Sequence, residues 1–167
     1  MLSEHNELRL KTLFEICHDL DKNDKRIAFT HGAFDMFHYG HLYLLRQTAK
    51  LCDYLIVGIE SDDNISKYKT YRRPIINETK RLEIISELKC VNAAFINRGE
   101  LENEWYEELC KQFKIKLITT GGNFGYKDQI RSRADKVKAD LKIFKTIDIN
   151  STTHIIDCIL EKYQTRS

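Results

Sequence analysis

The sequence alternates short apolar segments with longer amphipathic ones, and this alternation restricts the folds that the chain can adopt. Branched and aromatic residues concentrate in segments with the length of buried strands, which are Arg26–Thr30, Tyr54–Glu60, Ala93–Asn97, Ile115–Thr120 and Leu141–Thr146. Between them, apolar residues recur at helical spacing near residues 41–52, 78–89, 101–113 and 127–139. Strands that alternate with crossover helices form a parallel sheet with helices on its faces. The sequence therefore predicts an α/β fold built on a five-stranded, doubly wound parallel sheet.

Amphipathic segments also occupy the two ends of the chain. A last helix is predicted to begin at Ser151 or Thr152, since either residue is a suitable N-cap. A chain of 167 residues falls within the usual size of one domain, roughly 100–200 residues. We expect residues 1–25 to form an N-terminal helical extension and residues 26–163 to form a single Rossmann-like domain.

Charge and cysteine content limit the partners and the compartment. The formal net charge is +2 and basic residues are spread along the chain, so no nucleic acid is indicated as a partner. The five cysteines include no Cys-x-x-Cys pair, which favours buried, reduced thiols over disulfides or a metal site. The segment Met1–Glu7 has neither a basic start nor an unbroken apolar run, so we expect no signal peptide and no membrane span. These features favour a cytoplasmic protein that acts on a small molecule.

Two histidines that flank a glycine follow the first predicted strand and precede the first crossover helix. They belong to the run Gly32-Ala33-Phe34-Asp35-Met36-Phe37-His38-Tyr39-Gly40-His41. A helix N-terminus presents unpaired backbone N–H groups and the positive end of the helix dipole, and both attract anions. A spacing of three places His38 and His41 on one helix face, and Gly40 leaves room for a polyphosphate near the backbone. The run predicts a phosphate-binding site, with two ordinary histidines in a helix cap as the alternative.

The same run carries a longer pattern that is specific to one enzyme family. Its matched positions are Gly32, Phe34, Asp35, His38, Gly40 and His41. The run resembles the Gly-x-Phe-Asp-x-x-His-x-Gly-His signature of the cytidylyltransferase-like nucleotidyltransferases, and the resemblance covers about residues 26–160. It implies an enzyme that transfers a nucleoside monophosphate from a nucleoside triphosphate to a phosphorylated small molecule and releases pyrophosphate. Class I aminoacyl-tRNA synthetases carry a related His-x-Gly-His, but this chain is too short for one and lacks a Lys-Met-Ser-Lys-Ser-like segment.

A basic segment follows the second predicted strand. Composition alone would explain it as a solvated loop. It is nevertheless similar to the heptose 1-phosphate adenylyltransferase branch of the family in Lys69, Arg73-Pro74, Asn77 and Arg81. Thr70 stands where that branch usually has a glycine.

The resemblance implies roles for four charged residues of this region. A flexible ammonium group can follow a moving charge, whereas a guanidinium binds two oxygens at once. Lys69 is accordingly expected to contact the triphosphate during transfer, and Asp62, Arg73 and Arg81 are candidates for binding the acceptor. Arg81 could equally be structural, because it lies in a helix that Asn77 is placed to cap.

A glycine-rich segment follows the fourth predicted strand. Gly121 and Gly122 allow a base or a ribose to approach the backbone closely. The heptose branch has a similar Gly-Gly-acidic-aromatic run, in which Asn123 here replaces the acid and still offers an uncharged acceptor. His31, where the branch often has asparagine, is a weaker candidate to border the nucleotide. These replacements allow a substrate that differs from that of the branch.

The start of the last predicted helix resembles the Ile-Ser-Thr-Thr ending of the family. Hydroxyl and free N–H groups of Ser151 and Thr152 would form a second anion site that faces the first across the cleft. Simple helix capping is the alternative. Thr146 stands where the family's cytidylyltransferases have an arginine, and Ile149 where a glycine is common. The first departure disfavours a cytidine nucleotide.

The resemblance implies a full set of site residues. The catalytic residues are expected to be His38, His41 and Lys69. The nucleotide-binding residues are expected to be Gly32, Ala33, Phe34, Asp35, Gly40, Gly121, Gly122, Asn123, Ser151 and Thr152. No metal ligand is predicted in the chain, and Mg²⁺ is expected to arrive bound to the triphosphate. A homodimer is expected because dimers are common in the family.

The sequence leaves more than one possibility open for the substrates and for the activity. The favoured substrates are ATP and a heptose 1-phosphate-like acceptor, and the nearest enzymatic alternative is glycerol-3-phosphate cytidylyltransferase. A catalytically silent nucleotide-binding module is the alternative of another class. A dinucleotide-dependent oxidoreductase is disfavoured, because no Gly-x-Gly-x-x-Gly follows the first predicted strand.

Overall fold

A computed structural model describes residues 2–69, 72–99, 103–122, 127–145 and 151–164 and confirms the predicted parallel sheet. The strands are β1 (Ile27–Gly32), β2 (Tyr54–Glu60), β3 (Ala93–Asn97), β4 (Leu117–Gly121) and β5 (Asp140–Phe144). All their pairings are parallel, and their order is β3-β2-β1-β4-β5. The helices are α1 (Leu2–Lys22), α2 (Tyr39–Ala49), α3 (Asp62–Tyr68), α4 (Glu78–Ser86), α5 (Asn103–Gln112), α6 (Lys127–Val137) and α7 (Thr152–Gln164). The architecture is that of a doubly wound, Rossmann-like α/β sheet.

Helices cover both faces of the sheet because the strands are apolar on both sides. Side chains alternate between the faces, so Ile27 and Phe29 pack under α1, α5 and α6, whereas Ala28 packs under α2 and α4. Leu13 and Cys17 of α1 are buried in the first of these clusters. The predicted N-terminal helix therefore packs on the sheet, while a domain boundary at residue 25 stays a prediction.

Helix α3 corrects the prediction of a continuous loop after β2. Ser61 caps this helix by accepting a hydrogen bond from the backbone N–H of Asn64. Within α3 only Asn64 and Ile65 are buried, so the segment has no apolar periodicity that would have revealed a helix. The other helix and strand ends differ from the predicted ones by at most three residues, which is ordinary for such boundaries.

The carboxyl ends of β1 and β4 define the place where a ligand is expected. β1 pairs with β2 on one side and with β4 on the other, and ligands of such sheets bind where the strand order reverses. Hydroxyl groups join these strands to each other and to α2: that of Thr48, in the last turn of α2, lies 2.8 Å from that of Thr119, and the Thr30 hydroxyl donates to the Thr119 carbonyl. The end of α2 is thereby held against β4, and β4 is held against β1.

The cysteines are all unpaired, as predicted. Burial raises the pKa of Cys17 and of Cys110 to about 12, so both thiols stay protonated at neutral pH. Within the described ranges, no helix combines the length and the apolar character needed to cross a membrane.

Candidate functional site

His38 and His41 stack on each other at the N-terminus of α2, as the motif predicts. His38 is the N-cap, and its Nδ1 accepts a hydrogen bond from the backbone N–H of Gly40 at 3.1 Å. In the neutral ring this bond places the proton on Nε2, where it can be donated to a phosphate oxygen. The centroids of the two imidazole rings are 3.8 Å apart. The pair therefore presents two rings to the same end of the helix.

His41 is packed between aromatic side chains. Its ring centroid lies 5.2 Å from that of Phe34 and 5.7 Å from that of Phe37. Burial, together with His38 and the positive charge of Lys69, lowers the pKa of His41 to about 3. Burial also lowers the pKa of His38, so both rings are neutral in the free protein at pH 7. His41 Nδ1 is buried without a hydrogen-bond partner in the described part of the chain, and such atoms are rare unless a ligand or water completes them.

The turn between β1 and α2 has an unfavourable backbone conformation. Phe34 and Met36 have positive φ angles of 49° and 47°, which place them in the left-handed region. A residue with a side chain costs of order 1–3 kcal/mol there, and it persists only where surrounding contacts enforce it. Asp35, which lies between the two, makes such contacts.

The Asp35 carboxylate joins this turn to a distant segment. It is 1% exposed and accepts hydrogen bonds from Arg73 Nε at 2.8 Å and from the backbone N–H groups of Ile75 and Ile76, each at 3.0 Å. Burial alone would raise the pKa of Asp35, but these N–H groups and the Arg73 charge together hold that pKa below its usual value. The sequence predicts a nucleotide contact for Asp35; the structure gives its carboxylate protein donors, and the nucleotide contact stays a prediction.

Arg73 is the second residue with an unsatisfied buried nitrogen. Its side chain is 11% exposed, and Nε donates to Asp35. Nη2 is buried and has no hydrogen-bond partner within the described ranges. A buried cationic donor left over from an ion pair is suited to an anionic ligand, which agrees with the acceptor-binding role predicted for Arg73.

Arg81 is enclosed by protein acceptors. Its guanidinium donates to the carbonyl oxygens of Ala33, Glu60 and Ile76 and to the Asp62 carboxylate, the last at 2.6 Å. The Arg81 side chain has no exposed area, which makes it a positioning residue that ties the ends of β1 and β2 to α3 and α4. This is the structural alternative left open by the sequence, and the acceptor contacts of Arg81 and Asp62 stay predictions.

Lys69 lies within electrostatic reach of His41. Partial desolvation and the charge of Arg73 lower the pKa of Lys69, while Glu60 and Asp35 oppose them. Lys69 in turn lowers the pKa of His41. The three residues predicted to be catalytic are therefore gathered at one end of the sheet.

The start of α7 is attached to the turn that carries Asp35. The Thr152 hydroxyl donates to the Asp35 carbonyl oxygen at 2.8 Å, and the Ser151 hydroxyl accepts from the backbone N–H of His154 at 3.1 Å. Both hydroxyls thus have protein partners, and the Ser151 hydroxyl caps the first turn of α7, which is the alternative that the sequence left open. The N-terminus of α7 therefore lies beside the turn that precedes α2, while the second anion site stays a prediction.

The predicted glycines differ in what surrounds them. Gly121 ends β4, and a Cβ built there would meet no atom of the described residues within 4 Å. Gly122 follows it. A Cβ at Gly32 would make an ordinary contact with the Phe34 ring at 3.5 Å. Asn123 lies outside the described residues.

Sequence reasoning missed two polar residues near the end of β2, Glu60 and Tyr68. The Tyr68 hydroxyl donates to Glu60 Oε2, and Glu60 is 7% exposed. Burial lowers the pKa of His31, and the Glu60 charge opposes this effect, so the two side chains lie near each other. A charged residue at the end of an otherwise apolar strand was the available signal.

The described residues were compared with the ligand sets that metal ions require. Across the described ranges, no group of three or more His, Cys, Asp or Glu side chains is placed to hold one. The Asp35 carboxylate is already committed to its three donors. Mg²⁺ carried by a triphosphate stays a prediction.

A cavity of about 500 Å³ lies apart from all these residues. Its walls include Leu13 and Ile16 of α1, Ser86 of α4 and Ala93 of β3. These strand positions are at the amino end of the sheet, whereas the histidines follow a carboxyl end. The cavity therefore adds nothing to the candidate site.

Relatives of known name match most of this chain. The bifunctional protein HldE of Pelobacter propionicus is 31% identical over 140 residues, which cover 83% of this chain and 28% of HldE. HldE of Aliarcobacter butzleri is 34% identical over 137 residues, which cover 82% of this chain and 27% of that protein. This chain thus spans less than a third of the length of these two relatives.

A solved structure and a family model agree with the fold and the motif. The crystal structure of the lipopolysaccharide core biosynthesis protein from Thermoplasma volcanium has a TM-score of 0.61 and 26% identity, and the match covers 75% of this chain and 99% of that one. Residues 29–156, which include the histidine motif, match the family described as cytidylyltransferase-like. This chain belongs to the cytidylyltransferase-like family.

Proposed function

We propose that this chain transfers a nucleoside monophosphate from a nucleoside triphosphate to a phosphorylated sugar or polyol and releases pyrophosphate. The observation that carries the proposal is the stacked pair of His38 and His41 at the N-terminus of α2. Beside it, His41 Nδ1 and Arg73 Nη2 are buried nitrogens without hydrogen-bond partners among the described residues. Phosphate oxygens accept hydrogen bonds, so they would supply the missing partner of Arg73 Nη2, and that of His41 in the tautomer that carries its proton on Nδ1.

For this reaction the protein has to align the reacting groups and stabilise the negative charge that develops on them. An oxygen of the acceptor phosphate attacks the α-phosphorus in line, its new P–O bond forms, and the bond to the pyrophosphate oxygen breaks. The nucleophile is already ionised near neutral pH, so no general base is required. His38 Nε2–H, His41, Lys69 and the α2 N-terminus stabilise the negative charge that develops on the α-phosphoryl group and on the departing pyrophosphate.

The favoured substrates are ATP and a heptose 1-phosphate-like acceptor. Support comes from Lys69, Arg73-Pro74 and the Gly121-Gly122 pair, which resemble the heptose 1-phosphate adenylyltransferase branch. The printed name of the Thermoplasma volcanium relative, a lipopolysaccharide core biosynthesis protein, fits a sugar phosphate. CTP with glycerol 3-phosphate is the second candidate, favoured by the shared family signature and disfavoured by Thr146.

The decisive experiment is pyrophosphate release from ATP, CTP, GTP and UTP, each with heptose 1-phosphate, mannose 1-phosphate and glycerol 3-phosphate. We expect turnover with ATP and a sugar 1-phosphate. Loss of one preorganised donor costs roughly 10²–10³ in turnover, so His41→Ala should lose that much, whereas His18→Ala on the exposed side of α1 should not. Nucleotide binding without turnover on any acceptor would favour the silent module, and near wild-type release by His41→Ala would refute the proposed roles.

We propose that the enzyme acts in the cytoplasm as a homodimer. The five unpaired cysteines suit a reducing compartment. Light scattering after size exclusion tests the dimer, for which a mass near 39 kDa is expected, roughly twice the 19.7 kDa of the chain.

A further inference from the structure

Glu60 stands out because a carboxylate lies in a cleft that must gather two phosphates. It is the last residue of β2, and its neighbour across β3 is Asn97. Strand alternation places it on the same face as Gly58, which is opposite His31 of β1. Glu60 therefore lies at the carboxyl edge of the sheet beside β1, next to the turn between β1 and α2.

The other carboxylates near the turn are engaged by strong protein donors. Asp35 accepts from Arg73 and two backbone N–H groups, and Asp62 accepts from the buried Arg81. Glu60 differs, since a neutral hydroxyl, that of Tyr68, donates to its Oε2. A carboxylate has about four acceptor positions, and the bond from Tyr68 uses one of them.

Glu60 lies near two other residues of the proposed site. Its charge acts on the pKa of Lys69, the proposed catalytic lysine, and on the pKa of His31. Burial of a charge costs free energy unless hydrogen bonds or an opposite charge compensate for it. A carboxylate also repels the phosphates of both substrates. The part of the acceptor that can lie against Glu60 is therefore neutral and rich in hydrogen-bond donors.

We infer that Glu60 is a specificity-determining residue that accepts a hydrogen bond from a hydroxyl group of the acceptor, with Tyr68 holding the carboxylate in place. The inference rests on the proposed transfer reaction and narrows its acceptor to phosphates that carry hydroxyl groups near the phosphate. It assigns the end of β2, rather than Asp62, to recognition of the acceptor. His31 lies on the same face and borders the same hydroxylated part.

The test compares acceptors with and without hydroxyl groups on matched variants. Steady-state pyrophosphate release is measured with ATP and heptose 1-phosphate, glycerol 3-phosphate or ethyl phosphate, which has no hydroxyl. For Glu60→Gln we expect kcat/KM for the hydroxylated acceptors to fall about 10-fold or more, because a bond to a charged acceptor is weakened. The rate with ethyl phosphate reports any general effect of the lost charge on Lys69, and its fall should be much smaller than the fall for the hydroxylated acceptors, with the KM for ATP little changed. Glu83→Gln, an exposed change on α4, should leave every value unchanged.

Tyr68→Phe is a second variant, and it keeps the negative charge of Glu60. It tests the inference even if Glu60→Gln fails to fold. It removes the hydroxyl that holds the carboxylate and should lower kcat/KM for hydroxylated acceptors roughly 2- to 10-fold, the worth of one neutral hydrogen bond. Equal losses for ethyl phosphate, or a raised KM for ATP, would show that Glu60 holds Lys69 instead and would overturn the inference. Absence of turnover by the unsubstituted protein on every acceptor would overturn the proposed function as well, so the two failures are distinguishable.

Discussion

Asp35→Asn is the substitution with the clearest structural consequence. The native carboxylate is 1% exposed and accepts three hydrogen bonds, two from backbone N–H groups and one from Arg73. The amide keeps one acceptor oxygen and brings an NH₂ group towards N–H donors. It also removes the counter-charge of Arg73, which is 11% exposed.

These losses give an expected size for the effect. Removal of one partner from a buried ion pair costs about 3–5 kcal/mol of unfolding free energy. For a domain of this size that corresponds to a fall in Tm of roughly 6–20 °C. The conformation of Phe34 and Met36 also loses its support, so kcat for nucleotidyl transfer should fall with stability.

Urea unfolding followed by far-UV circular dichroism measures the effect. Asp135→Asn, an exposed change of the same chemistry on α6, is the control and should shift the unfolding free energy by less than about 0.5 kcal/mol. The folded-state pKa of Asp35 is lowered, so its stabilisation is present above the unfolded-state pKa and is lost as pH falls through the folded-state value. The difference between the variant and the native protein should therefore shrink in acid. A loss below about 1 kcal/mol at pH 7, similar to that of Asp135→Asn, would refute the view that Asp35 fastens the turn.

The remaining predictions concern Arg81, the histidine pair and the metal. Arg81→Met should lower the unfolding free energy by about 3–5 kcal/mol because three carbonyl oxygens and Asp62 lose their donor. Arg98→Met, which breaks a pair whose arginine is 40% exposed, should cost less than about 1 kcal/mol in the same urea titration. His41 has a folded-state pKa of about 3, so the unfolded state binds the proton first as pH falls below 6.5. Between pH 7.5 and 5 this should remove up to about 2 kcal/mol of stability, and His41→Asn should show a flatter pH dependence; an unchanged slope would contradict it. EDTA should abolish pyrophosphate release, and Mg²⁺ should restore it, while Tm without nucleotide stays constant; a fall in Tm would indicate a metal held by the protein.

The fold could be predicted because its signals are local. Branched apolar runs and helical spacing are properties of consecutive residues, and they located the strands of the sheet. The position of the histidine pair at a helix N-terminus could also be predicted, because residues 32–49 contain both the spacing of the pair and the pattern of the helix that follows. Helix α3 escaped because a single apolar side chain, Ile65, anchors its seven residues.

The roles of polar side chains could not be predicted in the same way, because they depend on partners far along the chain. Asp35 finds its donors at residues 73–76, and Arg81 finds acceptors at Ala33 and Glu60. Nothing in the local sequence distinguishes such a residue from one that contacts a ligand. A family motif therefore marks residues that the site requires without separating those that hold the turn from those that meet the substrate.

The free site stores unfavourable terms that a ligand would relieve. Phe34 and Met36 occupy the left-handed region, and His41 Nδ1 and Arg73 Nη2 are buried without partners in the described part of the chain. An unsatisfied buried polar atom costs about 1–3 kcal/mol, so hydrogen bonds from these two nitrogens to a phosphate would relieve that cost. The hydrogen bonds that the Asp35 carboxylate accepts keep the turn in place despite these unfavourable contributions. The nitrogens of His41 and Arg73 are therefore already positioned before the proposed nucleotide binds. For the proposed transfer reaction, preorganisation of this kind would lower the reorganisation needed in the transition state, which is a physical reason for fastening the turn with a buried carboxylate instead of leaving it to close around a substrate.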